Sequence, residues 1–295
     1  MRALELLKAA QTNKYAIGAF NVANTETFKA ITQAAAKLRS PVILEASDGE
    51  INYIGYKQIA ALARIYEIEL GIPIIVNLDH GKDFESCKKA IEAGFDYIHI
   101  DASKLPYEEC VDITKEVVLL AHKHGLPVEG EMDHIQGSSE DHRKENTKNL
   151  QNPSLYTDPD KALDYVSRTG IDVFASFVGN LHGEFADKEQ INIPLLQKIQ
   201  QTLPNTYLSL HGGSGIDDND VKAAIQNGVI KVNVNSEMRI AFKMTLQETL
   251  NKTNEVAVYK IAGKAIEEVQ KIVEYKIKLF GSAGRLTDTN TSRAS

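Results

Sequence analysis

Four of the eight histidines in the chain stand directly before a glycine, and three of these four lie at or just beyond the end of a predicted buried strand. These three are His80, His182 and His211. Three neutral imidazoles that leave one coordination position open form the ligand set of a catalytic zinc ion, at about 2.0–2.1 Å per nitrogen. A ligand set made of imidazoles favours Zn²⁺, and Co²⁺ also fits it. The residue types and their placement therefore predict a metal centre with these three ligands.

An acid, Asp79, precedes His80 at the end of an apolar run. Burying an acid and an imidazole costs free energy unless they are paired or bind something, which favours a functional role for this pair. A single histidine is more often a hydrogen-bonded loop or core residue, and the other five are interpreted in that way. His99 alternates within a strand, His122 and His124 close a helix, and His134 and His142 lie in a polar segment.

A glycine-rich turn follows the seventh predicted strand and precedes a helix. It contains Gly212, Gly213 and Ser214. Backbone N–H groups in such a turn, together with the amino end of the helix, can hold a phosphate group. A second polar group, made of Asn233, Asn235 and Ser236, ends the eighth predicted strand. These two turns predict an anion site.

The elements that must position these residues alternate regularly between strand and helix. Predicted strands cover residues 16–22, 41–47, 73–80, 97–103, 127–132, 173–179, 207–211 and 230–235. Eight strand–helix units without a linker predict an α/β fold of the (β/α)₈ TIM-barrel type, with a short N-terminal helix and extra C-terminal helices. A doubly wound open sheet is the alternative. We expect one domain over residues 1–281 and a polar, disordered tail over 282–295.

Closure of a barrel brings the carboxyl ends of all strands to one mouth, where the catalytic side chains of this fold lie. The polar residues at those ends are Asn21, Ser47, Asp79, His80, Asp101, Ser103, Glu129, Glu131, His182, His211, Asn233 and Asn235. The loops after strands seven and eight often bind phosphate in this fold. The segment 133–157 is polar and has no apolar period, which predicts a functional or mobile loop.

The bulk composition excludes several classes of protein. A net charge of −7 and a pI near 5.7 argue against nucleic-acid and anionic-membrane partners, which need clustered basic residues. Two cysteines without metal-type spacing make a disulfide scaffold unexpected. We find neither a transmembrane run nor a signal-peptide pattern, so a cytoplasmic protein is the expectation.

Six segments resemble, in order and spacing, the class II, zinc-dependent ketose-bisphosphate aldolases, a family that includes fructose- and tagatose-bisphosphate aldolases. They are LDHG at 78–81, IDAS at 100–103, VEGE at 128–131, GNLHG at 179–183, LHGGSG at 210–215 and KVNVNSE at 231–237. The resemblance implies a TIM barrel that reversibly cleaves a ketose 1,6-bisphosphate. The products would be dihydroxyacetone phosphate and an aldehyde such as glyceraldehyde 3-phosphate, in carbohydrate metabolism and glycolysis.

The resemblance also implies roles for individual residues. His80, His182 and His211 match the metal ligands, and Asp101 and Glu131 match carboxylates near the metal. Asp79 matches the residue that exchanges a proton with the C4 hydroxyl of the substrate. Binders of the dihydroxyacetone phosphate portion are matched by Gly183, Gly212, Gly213, Ser214, Asn233 and Ser236. A monovalent cation near that phosphate and a homodimer or homotetramer are further features that the family implies.

The chain departs from the family pattern at several positions, including Asp133, which follows Glu131-Met132 where the family usually has a glycine. Ser139 replaces a loop glutamate that exchanges a proton at C3, and the neighbouring Glu140 is the candidate substitute. Ala186 stands where many fructose-specific members have a phosphate-binding lysine, and Asn235 replaces an aspartate common in them. These changes leave the identity of the ketose open.

Two alternatives remain beside a metal-dependent aldolase. The first is a degenerate paralogue that binds a sugar phosphate or a partner without efficient turnover. The second is a Schiff-base aldolase, which needs a lysine pointing into the mouth. Lys231 lies at the opposite end of the eighth strand, so we interpret it as structural.

Overall fold

Eight parallel strands close into a barrel, as the alternation in the sequence predicts. The computed structural model describes residues 2–148 and 150–286, which form ten strands. These are β1 (Ile17–Asn21), β2 (Val42–Ala46), β3 (Ile74–Gly81), β4 (Tyr97–Asp101), β5 (Val128–Glu131), β6 (Gly137–His142), β7 (Val173–Ala175), β8 (His182–Phe185), β9 (Tyr207–Leu210) and β10 (Val229–Val234). The barrel runs β1-β2-β3-β4-β5-β7-β9-β10 and returns to β1, whereas β6 and β8 form a separate pair. The TIM-barrel prediction is confirmed.

Helices surround the barrel and also continue beyond it at the C-terminal side. They are α1 (Arg2–Thr12), α2 (Thr25–Lys37), α3 (Asp48–Ile54), α4 (Tyr56–Leu70), α5 (Phe84–Ala93), α6 (Tyr107–Lys123), α7 (Pro159–Thr169), α8 (Ile193–Thr202), α9 (Asp218–Gln226), α10 (Ser236–Lys252), α11 (Val258–Ile261) and α12 (Gly263–Leu279). Helix α3 is absent from the sequence-based prediction, because seven residues are too few to show a helical period. Within the ranges described, no helix has both the length and the apolar character to cross a membrane.

Helix α1 closes the amino end of the barrel. Its buried Leu6 and Leu7 belong to an apolar cluster with Ile17, Ile75 and Ile230, which come from the amino-terminal halves of barrel strands. The larger apolar cluster lies between the barrel wall and the outer helices. Since one end of the barrel is sealed by apolar side chains, the carboxyl mouth is the end that remains for polar chemistry.

Residues 133–157 are not the structureless loop that their polar composition predicts. Strand β6 pairs in parallel with β8, and Gly137 lies opposite His182. Most of its side chains are exposed, so the strand is held by backbone pairing and carries no apolar pattern that a sequence reading could detect. This pairing carries the segment across the mouth of the barrel.

Residues 282–286 do not belong to the predicted disordered tail. The backbone N–H of Gly284 donates to the carbonyl of Leu38, and that of Leu286 donates to the carbonyl of Arg39. Ser282 is fully buried. The chain is therefore fixed as far as residue 286, and the remainder of the predicted disordered tail, 287–295, lies outside the described residues.

Candidate active site

A cavity of about 300 Å³ opens at the carboxyl mouth of the barrel. The residues from the sequence-based prediction that line it are Asn21, Ser47, Asp79, His80, Asp101, Glu131, His182, Gly183, His211, Gly212, Ser214, Asn233, Asn235 and Ser236. Gly213 and Glu140 were predicted with them but do not line the cavity. The barrel therefore gathers nearly all of the predicted residues into one place.

The three predicted metal histidines converge on this cavity. The ring centroids of His80 and His211 are 4.8 Å apart, those of His80 and His182 are 5.0 Å apart, and those of His182 and His211 are 5.8 Å apart. His80 lies at the carboxyl end of β3, His182 begins β8 and His211 directly follows β9. Three imidazoles from separate strands are thus close enough to face one cation.

Two carboxylates fix the orientation of two of these rings. Nδ1 of His80 donates to Oδ2 of Asp101 over 2.8 Å, and Nε2 of His211 donates to Oε1 of Glu129 over 2.8 Å. A carboxylate can only accept, so in the neutral form of each ring the opposite nitrogen keeps its lone pair. Such carboxylate–histidine contacts orient metal ligands in many metalloproteins. Asp101, which the resemblance places near the metal, thus orients the His80 ring through a hydrogen bond at Nδ1.

The protonation of the histidines follows their surroundings. Burial lowers the pKa of His182 well below its ordinary value, and the neighbouring His80 and His211 lower it further. Burial also lowers the pKa of His211. Burial lowers the pKa of His80 as well, but the carboxylates of Asp79 and Glu131 outweigh it and raise the pKa to about 9. Two imidazoles are therefore ready ligands, and at the third a cation would compete with a proton.

Glu131 supplies a further indication of a cation. Its side chain is fully buried, and among the described residues its Oε2 atom has no hydrogen-bond partner. This oxygen lies 3.6 Å from Nδ1 of His80 and 3.4 Å from Nε2 of His99. One ligand atom each from His80, Asp101 and Glu131 fall within 4.8 Å of one another. A buried, unpaired carboxylate oxygen beside these rings fits a divalent cation, which would compensate its charge.

His99 belongs to the site although the sequence analysis assigned it no function. Its ring is fully buried, and its centroid lies 4.6 Å from that of His80 and 4.9 Å from that of His211. Side chains two residues apart on a strand share one face, and His99 precedes Asp101 by two positions. That spacing is the signal that could have placed His99 inside the barrel.

The carboxylate of Asp79 lies beside the histidines and is held by two amides. Nδ2 of Asn21 donates to its Oδ2 over 3.1 Å, and Nδ2 of Asn233 donates to its Oδ1 over 3.3 Å. Burial raises the pKa of Asp79, but the surrounding imidazoles, first that of His80, hold it well below its usual range. Asp79 is therefore an ionised carboxylate that can accept a proton in the cavity.

The glycine-rich turn has the close backbone approach that an anion site needs. Gly212 has a φ of 71°, and a Cβ atom there would lie 1.8 Å from the carbonyl oxygen of Leu181. Gly213 was predicted to contribute to the anion site, but its N–H donates instead to the carbonyl of Asn233 over 2.8 Å. Its own carbonyl accepts from Nζ of Lys276 over 2.8 Å. Gly213 therefore anchors the turn, whereas Gly212 and Ser214 face the cavity.

The predicted loop base, Glu140, is not in a position to act on a molecule in the cavity. Its side chain is exposed on β6, and its neighbour Ser139 is the residue that lines the cavity. Adjacent side chains of a strand point to opposite faces, so the two cannot both face the mouth in this arrangement. The carbonyl of Ser139 accepts from NH1 of Arg239 over 3.2 Å, which fixes β6 against α10.

Two charged residues that the sequence analysis missed organise the rim. Oε2 of Glu50 accepts from the side chains of Asn21 and Ser47, over 2.9 Å each. Its Oε1 accepts from NH2 of Arg239 over 2.6 Å. Arg239 also lines the cavity, as does Lys104, so two cationic side chains stand at the mouth beside its carboxylates.

Comparisons with known proteins agree with this geometry. The family model described as "Fructose-bisphosphate aldolase class-II" matches residues 1–285. The fructose-bisphosphate aldolase of Geobacillus stearothermophilus is 38% identical over 285 residues, which cover 95% of this chain and 96% of that protein. The corresponding protein of Staphylococcus aureus is 37% identical over 287 residues, with 95% and 97% covered. The crystal structure of the YdjI aldolase from Escherichia coli K12 superposes with a TM-score of 0.81 at 30% identity, with 95% of this chain and 97% of that chain covered.

Proposed function

The chain belongs to the class II fructose-bisphosphate aldolase family, a family of lyases, and from that premise we propose that it reversibly cleaves a ketose 1,6-bisphosphate in a metal-dependent reaction. The ketose is of the fructose or tagatose type. The products are dihydroxyacetone phosphate and an aldehyde such as glyceraldehyde 3-phosphate. The single observation that carries the proposal is the convergence of His80, His182 and His211 on one cavity beside the ionised Asp79.

The proposed ligands are the three histidines, with Zn²⁺ as the ion and Co²⁺ as a substitute. The unpaired Oε2 of Glu131 supports a cation at this place, and Asp101 holds His80 in orientation. When bound, such an ion supplies a Lewis acid that stabilises the negative charge developing beside the substrate carbonyl. A monovalent cation near the phosphate is a further proposal, which rests on the family resemblance alone.

The chain's own residues supply the proton transfer and the positioning. Asp79 accepts the proton of the C4 hydroxyl, and the C4 oxygen becomes the aldehyde carbonyl as the C3–C4 bond breaks. The electron pair of that bond stays on the dihydroxyacetone portion as an enediolate, which then takes up a proton at C3. The amides of Asn21 and Asn233 keep this carboxylate in place. The turn around Gly212 and Ser214, with Asn235 and Ser236 opposite, holds the phosphate of the dihydroxyacetone portion. A fixed phosphate places the reacting carbons without loss of orientation.

The Schiff-base alternative has little geometric support. Lys231 is fully buried inside the barrel, and its Nζ lies 2.8 Å from Oε2 of Glu129. It does not line the cavity. Ser139 favours the other alternative, a degenerate paralogue without efficient turnover, because it lines the cavity where the family resemblance implies a glutamate. Turnover measurements separate these readings.

The test is cleavage of fructose and tagatose 1,6-bisphosphates by the purified protein before and after treatment with EDTA. We expect activity that EDTA abolishes and that Zn²⁺ or Co²⁺ restores. The His182→Ala variant should lose the activity, and the His124→Gln variant, which changes an exposed residue directly after α6, should keep it. EDTA-resistant activity that borohydride traps would establish the Schiff-base reading. Binding of dihydroxyacetone phosphate without any turnover would establish the degenerate one.

A further inference from the structure

His99 has no role in the proposed reaction, yet it is buried directly against the candidate metal ligands. It lies on β4 between two apolar residues and points into the barrel, where its side chain is fully buried. Its ring centroid is 4.6 Å from that of His80. A fully buried imidazole normally satisfies both of its nitrogens, so the partners of this ring indicate what it does.

The first partner of His99 is the backbone of His80. His80 has a φ of 49°, a left-handed conformation that is strained for a residue with a Cβ atom. The pairing of β3 with β4 shifts its register between Leu78 and Gly81, at this same point. In this conformation the N–H of His80 donates to Nδ1 of His99 over 3.1 Å. The contact satisfies a backbone donor that the shifted register removes from the sheet.

The second partner is the carboxylate of Glu131. Because Nδ1 of His99 accepts this hydrogen bond, the ring hydrogen lies on Nε2. Burial lowers the pKa of His99, but the surrounding carboxylates, first that of Glu129, outweigh it and raise the pKa to about 10. This Nε2 lies 3.4 Å from Oε2 of Glu131. Neither atom has a well-aligned hydrogen-bond partner among the described residues. One imidazole therefore spans the distance between the strained backbone of one candidate ligand and the free oxygen of another.

We infer that His99 is a positioning residue, which holds the backbone of His80 and the carboxylate of Glu131 in the arrangement that binds the metal ion. The inference rests on the proposed metal dependence and adds a residue that the family resemblance does not assign. In this inference His99 acts through these two neighbours, and coordination by His99 itself is the alternative that the experiment separates, since ligand atoms of Asp79, His80, His99 and His211 lie within 4.8 Å of one another. A fourth-ligand role would need the lone pair of Nδ1, which the N–H of His80 already occupies.

Three substitutions separate positioning from coordination and from simple packing. His99→Asn places an amide oxygen close to the position of Nδ1, so it can still accept from the N–H of His80. His99→Gln places its amide near the position of Nε2 and lacks an acceptor at Nδ1. His99→Leu fills a similar volume and has no polar atom. The experiment measures Zn²⁺ affinity by competition with a chromophoric chelator, and records the visible absorption spectrum of the Co²⁺-loaded proteins.

We expect His99→Leu and His99→Gln to bind Zn²⁺ about 10- to 100-fold more weakly than the wild type, the usual effect of losing a partner that orients a ligand. His99→Asn should stay within about threefold and keep the wild-type Co²⁺ spectrum, because it retains the hydrogen bond from the N–H of His80 and gives up only the longer, poorly aligned contact with Glu131. Wild-type affinity in His99→Leu would overturn the inference. Equal changes of the Co²⁺ spectrum in His99→Asn and His99→Leu would overturn it in favour of coordination.

Thermal unfolding of each metal-free variant shows whether it folds. If His99→Leu fails to fold, the comparison of His99→Asn with His99→Gln decides, and equal Zn²⁺ affinities of these two would overturn the inference. The wild-type titration keeps the two proposals apart. A wild type that binds no Zn²⁺ contradicts metal dependence and the role of His99 together, whereas a wild type that binds Zn²⁺ as tightly as all three variants contradicts only the role of His99.

Discussion

Oε1 of Glu129 lies 2.8 Å from Nε2 of His211, inside the barrel and below the cavity. The other oxygen of Glu129 accepts from Nζ of Lys231 over 2.8 Å, and the hydroxyls of Tyr97 and Ser209 donate to the same carboxylate. A buried ion pair thus supports a candidate metal ligand from beneath. This contact supports the interpretation of Lys231 as structural. Burial raises the pKa of Glu129, but the charge of Lys231 lowers it and keeps the carboxylate ionised.

Lys231→Met should destabilise the fold by about 3–5 kcal/mol, because it leaves a buried carboxylate without compensation. The double variant Lys231→Met/Glu129→Gln should lose less than the sum of the single losses, since it removes both charges. Urea unfolding of the four proteins of this cycle measures the coupling. Strict additivity would contradict the arrangement.

Asp79→Asn should lower the cleavage rate by about 10²- to 10⁴-fold, the usual contribution of a general base. The amide of the new asparagine cannot accept the hydroxyl proton. Its NH₂ group also faces the NH₂ group of Asn21 or Asn233, where the carboxylate oxygen of Asp79 accepts a hydrogen bond. Zn²⁺ binding, measured by chelator competition, should largely persist because Asp79 is not among the three proposed ligands. An Asp79→Asn enzyme that retains at least a third of the wild-type rate would remove Asp79 from the role of base.

Gly212→Ala should weaken the binding of inorganic phosphate and destabilise the protein. Its Cβ atom would meet the carbonyl oxygen of Leu181 at 1.8 Å, and its φ of 71° is itself unfavourable for alanine. Gly71→Ala separates the two effects, because Gly71 has a φ of 64° and nothing lies within 4 Å of its Cβ position. We expect that control to lose only about 1–2 kcal/mol.

Phosphate inhibition and thermal unfolding measure both glycine variants, with Gly49→Ala as the neutral reference, since its Cβ position is open and it lies in a helix. Gly212→Ala should be the only one of the three whose phosphate affinity falls. Equal phosphate affinity in all three would mean that the turn does not bind the anion.

Lys276→Met should raise the KM for the bisphosphate more than it lowers kcat. Nζ of Lys276 on α12 donates to the carbonyl of Gly213 and lies 2.9 Å from Oε1 of Glu237, so it ties the anion turn to the last helix. Lys37→Met is the matched control, because Lys37 also pairs with a glutamate, Glu274, but on the surface, where such pairs contribute about 0–1 kcal/mol. An unchanged KM in Lys276→Met would show that the turn holds its shape without this lysine.

Lys104→Met should lower kcat/KM for a ketose bisphosphate and leave that for the corresponding 1-phosphate nearly unchanged. Lys104 lines the cavity at its exposed rim, and a second phosphate brings negative charge to that rim. Lys115→Met, an exposed lysine on α6, serves as control. Parallel losses for both substrates would exclude recognition of the second phosphate by Lys104.

Light scattering of the wild type tests the predicted homodimer or homotetramer separately.

The sequence by itself determined the barrel and the composition of its mouth. Alternating periods of strand and helix predict the elements, and the parallel order of the strands then forces their carboxyl ends to one side. That is why Asp79, His80, Asp101 and Glu131 could be placed together before any coordinates. The start of α5 is also determined locally, because the side chain of Asp83, directly before the helix, accepts from the N–H of Ser86 three residues away.

Only the tertiary structure decided which side chains meet inside that mouth. Glu50 and Arg239 lie 189 positions apart in the chain, and Glu129 and Lys231 lie 102 apart. The contact of His99 with the backbone of His80, the pairing of β6 with β8 and the anchoring of Gly213 depend on the register between neighbouring strands. Period and residue type are local properties, whereas register is fixed by closure of the whole barrel, so these contacts have no signature in any single stretch of the sequence.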